Sequence, residues 1–198
     1  MDLRYQVNIM GTIKTTNIEP IADNGTVTLG SSGDTFTVPS GVTVNMSSAT
    51  QTGVGGVNTP AFYAYKNADQ IITSGTITKI TFETELFDTA NAFASSKFTP
   101  AVAGKYYIET GLTMQGGTSE LIESRIYIYK NGSNYSYAYG AHQNNYSNYE
   151  ARTWSTIVDC NTTDYIEIYS KCEDSSGNPT IAQHNPKGSW FLGYKLIT

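Results

Sequence analysis

The sequence has little charge: only 15% of its 198 residues are Asp, Glu, Lys or Arg, against about a quarter in ordinary globular proteins. No cluster of basic residues occurs and the net charge is −5, which excludes the electrostatic pattern of a nucleic-acid-binding protein. No apolar run approaches the length of a membrane-spanning helix, so no membrane insertion is predicted. The opening MDLRYQVNIM is too polar for a signal peptide. We therefore expect a protein that is made in the cytoplasm and leaves the cell by lysis or inside an assembly.

Cysteine is equally scarce, with two residues, Cys160 and Cys172. The segment between them reads as strand, short turn and strand, which places Cys160 beside the turn and Cys172 at the far end of the return strand. The separation along such a ribbon is about 20 Å, beyond the ~7 Å Cα limit of a disulfide. Two free thiols are predicted. No CxxC or Cys/His spacing indicates a metal site.

The sequence also lacks the patterns of an enzyme. Its two histidines, His142 and His184, lie in polar segments rich in asparagine and glutamine. No nucleophile elbow, P-loop, dinucleotide fingerprint or metal-binding histidine pair occurs. We interpret the acidic residues Glu83, Glu85, Glu120 and Glu123 as solvated surface charge. A non-enzymatic protein without a cofactor or metal is predicted.

Short strands, by contrast, are abundant. Beyond residue 60, alternating apolar and polar stretches follow one another with turn residues between them, and no stretch has a helical period. The chain contains fifteen tyrosines and seven phenylalanines, and tyrosine favours strands. Regularly spaced short strands are typical of an antiparallel sandwich or barrel. The fold class predicted for this part of the chain is all-β.

The N-terminal part has a different pattern. From residue 26 it can be written in eights, TVTLGSSG, DTFTVPSG and VTVNMSSA, each a short alternating strand followed by a turn. So few apolar residues cannot form a core in one chain, although they can stack on copies from other chains. An intertwined β-rich stalk is one interpretation and a flexible polar linker is the other. The Gly-rich QTGVGGVNT follows as a joint. The predicted organisation is an attachment arm (1–25), a stalk with its joint (26–59) and a head domain (60–198).

The stretch FETELFDTANAFASSKFTPAVAGKYYI resembles the signature of the complement component 1q globular-head family, which has the trimeric jelly roll of tumour necrosis factor (TNF). The segments PAFYAY, RIYIYKNGS and GSWFLGYKLI resemble its first strand, middle hairpin and closing strand. The resemblance covers 60–198 and implies a jelly-roll sandwich assembled as an intertwined homotrimer. The matching signature positions are Phe82, Asp88, Phe93, Phe98, Gly104 and Tyr106.

The N-terminal GTIKTTNIEPIADNGTVTLGSSGDTFTVPSG is similar to the opening of small virion proteins of tailed bacteriophages. This resemblance implies a structural protein of the virion that contacts other virion proteins through its N-terminal arm. A trimeric tail-fibre or spike-like adhesin that binds a host-surface glycan is the expected function. A trimeric capsid decoration (cement) protein is the alternative, and an extracellular head of non-viral origin is a third.

Five tyrosines lie in the sixteen residues RIYIYKNGSNYSYAYG, around an Asn-Gly pair that is the strongest short hairpin signal. Alternation places Ile126 and Ile128 towards the core and the tyrosines on the outside. Such an aromatic face suits a surface buried against another molecule. A neighbouring subunit and a sugar ligand both fit. The residues predicted to line a trimer interface are Tyr127, Tyr129, Tyr135, Tyr137 and Tyr139.

The following segment AHQNNYSNYEAR reads as a long polar loop between strands. Amide and phenol groups without net charge suit a polyhydroxylated ligand, although a merely soluble loop has the same composition. The second polar loop, EDSSGNPT, is expected at the same end of the sandwich. The residues predicted to bind a ligand are His142, Asn144, Asn145, Tyr146 and Tyr149.

Overall fold

A computed structural model describes residues 26–44, 58–118, 120–142, 147–184 and 187–196. The described residues belong to two units, divided between residues 52 and 53, and each unit is described by itself. All thirteen elements in these residues are β-strands, and every pairing between them is antiparallel. The predicted all-β class is confirmed.

Two sheets form the C-terminal unit. The larger sheet has the strand order β2-β12-β7-β13-β1-β4, with β10 also paired to β7. Its strands are β1 (Ala61–Tyr65), β2 (Gln70–Ile71), β4 (Thr84–Asp88), β7 (Gly104–Gln115), β10 (Tyr149–Cys160), β12 (Thr180–Ala182) and β13 (Trp190–Lys195). The smaller sheet has the order β5-β6-β11-β8-β9, with β3 also paired to β11. Its strands are β3 (Thr78–Lys79), β5 (Phe93–Ala94), β6 (Lys97–Phe98), β8 (Leu121–Lys130), β9 (Ser133–Ala141) and β11 (Ile166–Asp174).

The core between the sheets is built around aromatic rings. Phe62, 1% exposed, stacks on Phe93 and Phe98 at centroid distances of 4.7 and 4.5 Å. Phe191 meets the ring of Phe62 edge-on at 4.7 Å. Aliphatic side chains from both sheets, including Ile126 and Ile128 of β8, complete the core. Ile126 and Ile128 therefore face the core, as the alternation in RIYIY predicts.

The residues of the 82–108 signature have structural roles. The Asp88 carboxylate accepts hydrogen bonds from the backbone N–H groups of Ala90 and Phe93, which fixes the turn after β4. The Tyr106 hydroxyl donates to the Val102 carbonyl at 2.7 Å, and its ring is buried. Gly104 has φ +149, and a Cβ there would lie 2.7 Å from the Lys195 side chain. These contacts shape the connection into β7.

The stretch IITSGTITKITFETE, which reads as continuous strand, is divided among β2, β3 and β4, and these belong to two different sheets. A contact with Lys66 explains part of this division. Lys66 is 1% exposed, and its ammonium donates to the Thr81 carbonyl at 2.9 Å and pairs with Glu83 at 3.2 Å. The segment around Thr81 therefore bonds to this buried cation, whereas a continuous strand would bond to a neighbouring strand.

In the N-terminal unit, residues 26–44 contain two turns. The Asp34 amide donates to the Ser31 carbonyl and the Val42 amide donates to the Pro39 carbonyl. Gly33 and Gly41, which close the first two repeats, have φ +97 and +84. The apolar residues of this unit are 38–71% exposed, and no strand occurs within 26–44. The predicted β-rich stalk stays a prediction about the assembly, and the arm 1–25 lies outside the described residues.

Candidate functional site

The tyrosine hairpin has the predicted turn. Asn131 and Gly132 connect β8 to β9 with φ +53 and +76, the two left-handed residues of a type I′ turn. The Asn131 side chain donates to the Asp164 carboxylate at 2.7 Å and accepts from the Tyr165 amide at 2.9 Å. The hairpin tip is thereby fixed to the turn between β10 and β11.

Five tyrosines form a continuous cluster on the outer face of the smaller sheet. We call this cluster the tyrosine face: Tyr127, Tyr129, Tyr137, Tyr139 and Tyr169. Tyr127 is paired in register with Tyr137 of β9 and with Tyr169 of β11. The rings of Tyr129 and Tyr169 stack at 4.2 Å, and Tyr127 contacts Tyr129 at 6.1 Å and Tyr137 at 5.7 Å.

Exposure varies across this face. Tyr137 and Tyr139 are each 51% exposed, whereas Tyr127 is 5% exposed, because its neighbours already cover it within one chain. Tyr135 is displaced from the register by a β-bulge between Ile128 and Tyr129 of the partner strand. The Tyr135 hydroxyl donates to the Ile157 carbonyl of β10, across the gap between the sheets. Four of the five predicted interface tyrosines thus share one surface, and whether they contact another subunit stays a prediction.

Paired charges border the tyrosine face. At one end the Glu123 carboxylate forms an ion pair with Arg125 at 2.7 Å and accepts a hydrogen bond from Lys171 at 2.9 Å. Burial alone would raise the pKa of Glu123, but these two cations lower it below its ordinary value. At the other end Lys79 pairs with Glu167 at 2.7 Å. The Arg125 guanidinium also lies 4.7 Å from the Tyr139 ring centroid.

The predicted ligand loop is described only at its two ends. His142 Nε2 lies 2.8 Å from Glu150 Oε2, and Tyr149 is 52% exposed, with its ring 6.0 Å from His184. Asn144, Asn145 and Tyr146 lie outside the described residues. The 116–118 and 173–180 segments reach this same end: Gly116 donates to the Asn148 carbonyl and Thr118 Oγ1 to the Ser176 carbonyl. The described residues of the two polar loops therefore lie at the same end of the sandwich, as expected.

The Glu150 carboxylate at the base of this loop accepts from Ser124, His142 and both ends of the Arg152 guanidinium. Burial would raise the pKa of Glu150, but these hydrogen bonds lower it. The Ser124 hydroxyl donates to the carboxylate and not to the imidazole. A nucleophilic triad needs the imidazole between serine and carboxylate, so this arrangement suits fixing the loop base.

Both cysteines are free and buried, as predicted. Burial raises the pKa of Cys160 to about 11 and that of Cys172 to about 12. Thiolates, the reactive form, are therefore scarce near neutral pH. No group of three or more His, Cys, Asp or Glu side chains suited to a metal occurs in the part of the chain that the structure describes. No helix in that part is long and apolar enough to cross a membrane.

The outer face of the larger sheet holds a second aromatic surface, which the sequence analysis did not identify. Strand pairing aligns its outward side chains in three rows. The rows are Phe87–Tyr63–Leu192–Glu109–Ser155, Thr84–Tyr65–Trp190–Gly111–Thr153 and Ala61–Tyr194–Tyr107–Ile157. Within these rows Glu109 is the single charged residue. We call this surface the apolar face.

Aromatic contacts order the apolar face. The Tyr63 and Trp190 rings stack at 6.0 Å and those of Tyr107 and Tyr194 lie 5.4 Å apart. Trp190 lies across Gly111, where a Cβ would approach its Nε1 to 2.6 Å. Phe87 and Ile157 are 46% and 53% exposed. Monomeric soluble proteins seldom expose contiguous apolar patches of this kind without a partner.

At the opposite end from the ligand loop, Asp164 accepts from Asn131, from the Asn161 amide at 2.8 Å and from Lys130 at 2.9 Å. Lys130 and Asp164 line an open cleft of about 470 Å³ with Gly104 and Cys160. The hydrogen bonds from Asn131, from Asn161 and from Lys130 hold the pKa of Asp164 at about 2. The Asp164 carboxylate therefore connects the β8–β9 turn, at Asn131, to the β10–β11 turn, at Asn161.

We expect Asp164→Asn to flatten the acid dependence of stability. The folded pKa of about 2 lies below the usual 3.8. The stability that Asp164 contributes is therefore complete above pH 3.8 and is lost as the pH falls through about 2. The melting temperature of the wild type should fall more steeply than that of Asp164→Asn over this window, measured by circular dichroism. Asp159→Asn, which changes an exposed aspartate nearby, is the matched control; equal slopes for Asp164→Asn and the wild type would contradict the assignment.

An all-antiparallel, two-sheet sandwich with this strand order is a jelly roll of the TNF-like class. Murine APRIL at pH 5.0 superposes on the chain with a TM-score of 0.51 at 8% identity, over 69% of this chain and 98% of APRIL. The pH 8.0 structure of murine APRIL gives a TM-score of 0.50 at 9% identity, with the same coverage. The globular domain of zebrafish complement 1qA gives 0.49 at 15% identity, over 69% of this chain and 97% of that domain. No protein-family model and no curated protein sequence matches the chain. At identities of 8% and 9%, the similarity to the two APRIL structures establishes the fold alone.

Proposed function

We propose that this chain is a non-enzymatic structural protein of a bacteriophage particle, a homotrimeric tail-fibre or spike-like adhesin. Its jelly-roll head binds a host-surface glycan and its N-terminal arm attaches to other virion proteins. The observation that carries the proposal is the presence of two separate aromatic surfaces on opposite faces of one TNF-like head. One surface serves assembly and the other stays available for recognition.

The apolar face is the better candidate for the trimer seam. It combines aliphatic and aromatic side chains, such as Leu192 and Trp190, with a single charge in its three rows, and depletion of charge is typical of an interface core. The tyrosine face is bordered by at least three ion-paired cations, which is typical of a rim or a polar binding surface. The sequence had favoured the tyrosines as the seam, and both placements remain testable.

The N-terminal unit supports attachment and assembly. Val27, Leu29, Phe36 and Val38 recur along this segment and are 38–71% exposed within one chain. Three such chains together would cover these side chains and supply the strand partners that one chain lacks. Trimerisation would also multiply weak single-site binding by the head.

Two measurements test this function. Light scattering of the full chain should give three times the 21.6 kDa mass of one chain. Antibodies raised against the protein should label phage particles from lysates of the source culture in electron micrographs, at the tail. Label spread over the capsid would identify a decoration protein instead. A monomer in solution, or particles without label, would overturn the proposal.

A further inference from the structure

We infer that the tyrosine face, in place of the 141–152 loop, is a carbohydrate-binding surface for neutral, polyhydroxylated chains. This inference rests on the adhesive function proposed above and names the site and the ligand class. The surface lies on the smaller sheet, on strands β8, β9 and β11, and is separated from the apolar face by the core of the sandwich.

The rings of this surface are held in place before any ligand arrives. Tyr127 is packed at the centre by Tyr129 and Tyr137, and Tyr129 is stacked on Tyr169. Little side-chain freedom is left to lose on binding, which favours affinity. Tyr137 and Tyr139 each keep 51% of their surface exposed. They are the two rings with room for a ligand to stack on them.

The chemistry of these rings matches a pyranose. One face of a sugar ring presents mainly C–H groups, which gain by burial against an aromatic ring. The sugar hydroxyls at its edge need hydrogen-bond partners, and a tyrosine hydroxyl both donates and accepts. The two exposed tyrosines lie two positions apart on one strand, a spacing of about 7 Å. Adjacent sugar units can therefore contact both rings.

The charges around the rings point to a neutral ligand. Arg125 and Lys171 are both paired with Glu123, and Lys79 is paired with Glu167. A polyanion would have to displace these carboxylates to reach the cations. Paired charged groups still have free donors and acceptors at their outer edges, which suit neutral hydroxyls.

A second copy of the chain fits this surface less well than a sugar does. The aliphatic side chains of β8 and β11, among them Ile126, Ile128 and Ile168, face inwards and are buried. The outward residues of the same strands are tyrosines and ion pairs, which a subunit contact would have to desolvate. The apolar face has fewer charged groups to desolvate, namely Glu109 within its rows and Lys187 over the Tyr65 ring.

The test is binding of the fluorescently labelled full-length protein to an array of neutral hexose and N-acetylhexosamine oligosaccharides, with heparin fragments as the polyanionic comparison. The Tyr137→Ser/Tyr139→Ser double variant should bind the neutral sugars about tenfold more weakly or worse. Tyr137→Phe/Tyr139→Phe keeps the rings and should recover most of that loss. Tyr135→Ser is the matched control, because Tyr135 is 46% exposed on the same strand but is displaced from the tyrosine face by the β-bulge; it should stay within about twofold of the wild type. Tyr149→Ser is the comparison variant for the 141–152 loop.

The other outcomes distinguish a failure of this inference from a failure of the proposed function. Loss of binding in Tyr149→Ser with full binding in the double serine variant would move the site to the loop and overturn the inference, while adhesion stands. Wild-type binding to heparin alone, or to no sugar, would also overturn it, whereas tail labelling would still support the virion role. Light scattering and melting curves of each variant confirm that assembly and fold are unchanged, so that a loss of binding reports on the surface.

Discussion

Leu192→Glu is expected to convert the proposed trimer into monomers. Leu192 lies in the middle row of the apolar face, between Tyr63 and Glu109. A glutamate there would lie directly opposite Glu109 and bring a second carboxylate per subunit into the seam, and removing each charge from water costs several kcal/mol. The dissociation constant should rise by at least about a thousandfold. Light scattering at micromolar concentration measures the change, and circular dichroism shows whether each chain keeps its strands.

The control places the same new charge on the opposite sheet. Tyr137→Glu should remain trimeric, because the tyrosine face then lies on the outside of the assembly. The reverse result, a trimeric Leu192→Glu and a monomeric Tyr137→Glu, would place the seam on the tyrosines as the sequence had predicted. Both residues lie on the outer surfaces of strands, so neither change opens the core.

Local patterns in the sequence were sufficient for the hairpin and for the fold class. Alternation along RIYIY fixes which residues enter the core, since the side-chain period of a strand is two whatever its partners are. Asn131 and Gly132 determine their own turn, because they adopt left-handed φ values at low cost. The signature residues Phe82, Phe93, Phe98 and Tyr106 lie in the core, as a jelly roll requires.

The apolar face could not be read in this way because its rows join strands that are distant in the sequence. Tyr63, Leu192 and Glu109 become neighbours only through the pairing of β1 with β13 and of β13 with β7. Each strand alone shows two or three half-buried residues, which is the normal outer pattern of a sheet. The outward position of Tyr169 could have been predicted, because the alternation in IEIYS places it on the face opposite to the isoleucines.

The bulge that displaces Tyr135 and the buried Lys66 are departures from simple alternation. An unpaired extra residue in β9 is set by its cross-strand partners, which the sequence of β9 does not reveal. Lys66 follows AFYAY as a charged residue that normally marks the end of a strand. It is buried because Thr81, Gln70 and Glu83 converge on its ammonium group from elsewhere in the chain. Non-local polar partners of this kind have no periodic signal.

Phe62→Ala is expected to cause the largest loss of folding stability, about 3–5 kcal/mol. Phe62 is 1% exposed and its ring contacts those of Phe93, Phe98 and Phe191 at 4.5–4.7 Å. Truncation removes three ring contacts at once and leaves a cavity that strands from both sheets border, so the surrounding backbone has little freedom to collapse. A typical domain has only about 5–15 kcal/mol of stability, and the variant should unfold at a much lower denaturant concentration.

Phe62→Leu separates the volume of this side chain from its aromatic contacts. Leucine refills most of the cavity, so a loss of less than about 2 kcal/mol is expected if packing volume dominates. A loss close to that of Phe62→Ala would instead show that the stacked and edge-on ring geometry is the main contribution. Guanidinium unfolding followed by tryptophan fluorescence measures both variants, because Trp190 lies in β13 next to Phe191. A loss below about 1 kcal/mol for Phe62→Ala would contradict the central position of this ring, and with it the meeting of β1, β5, β6 and β13 at one point of the core.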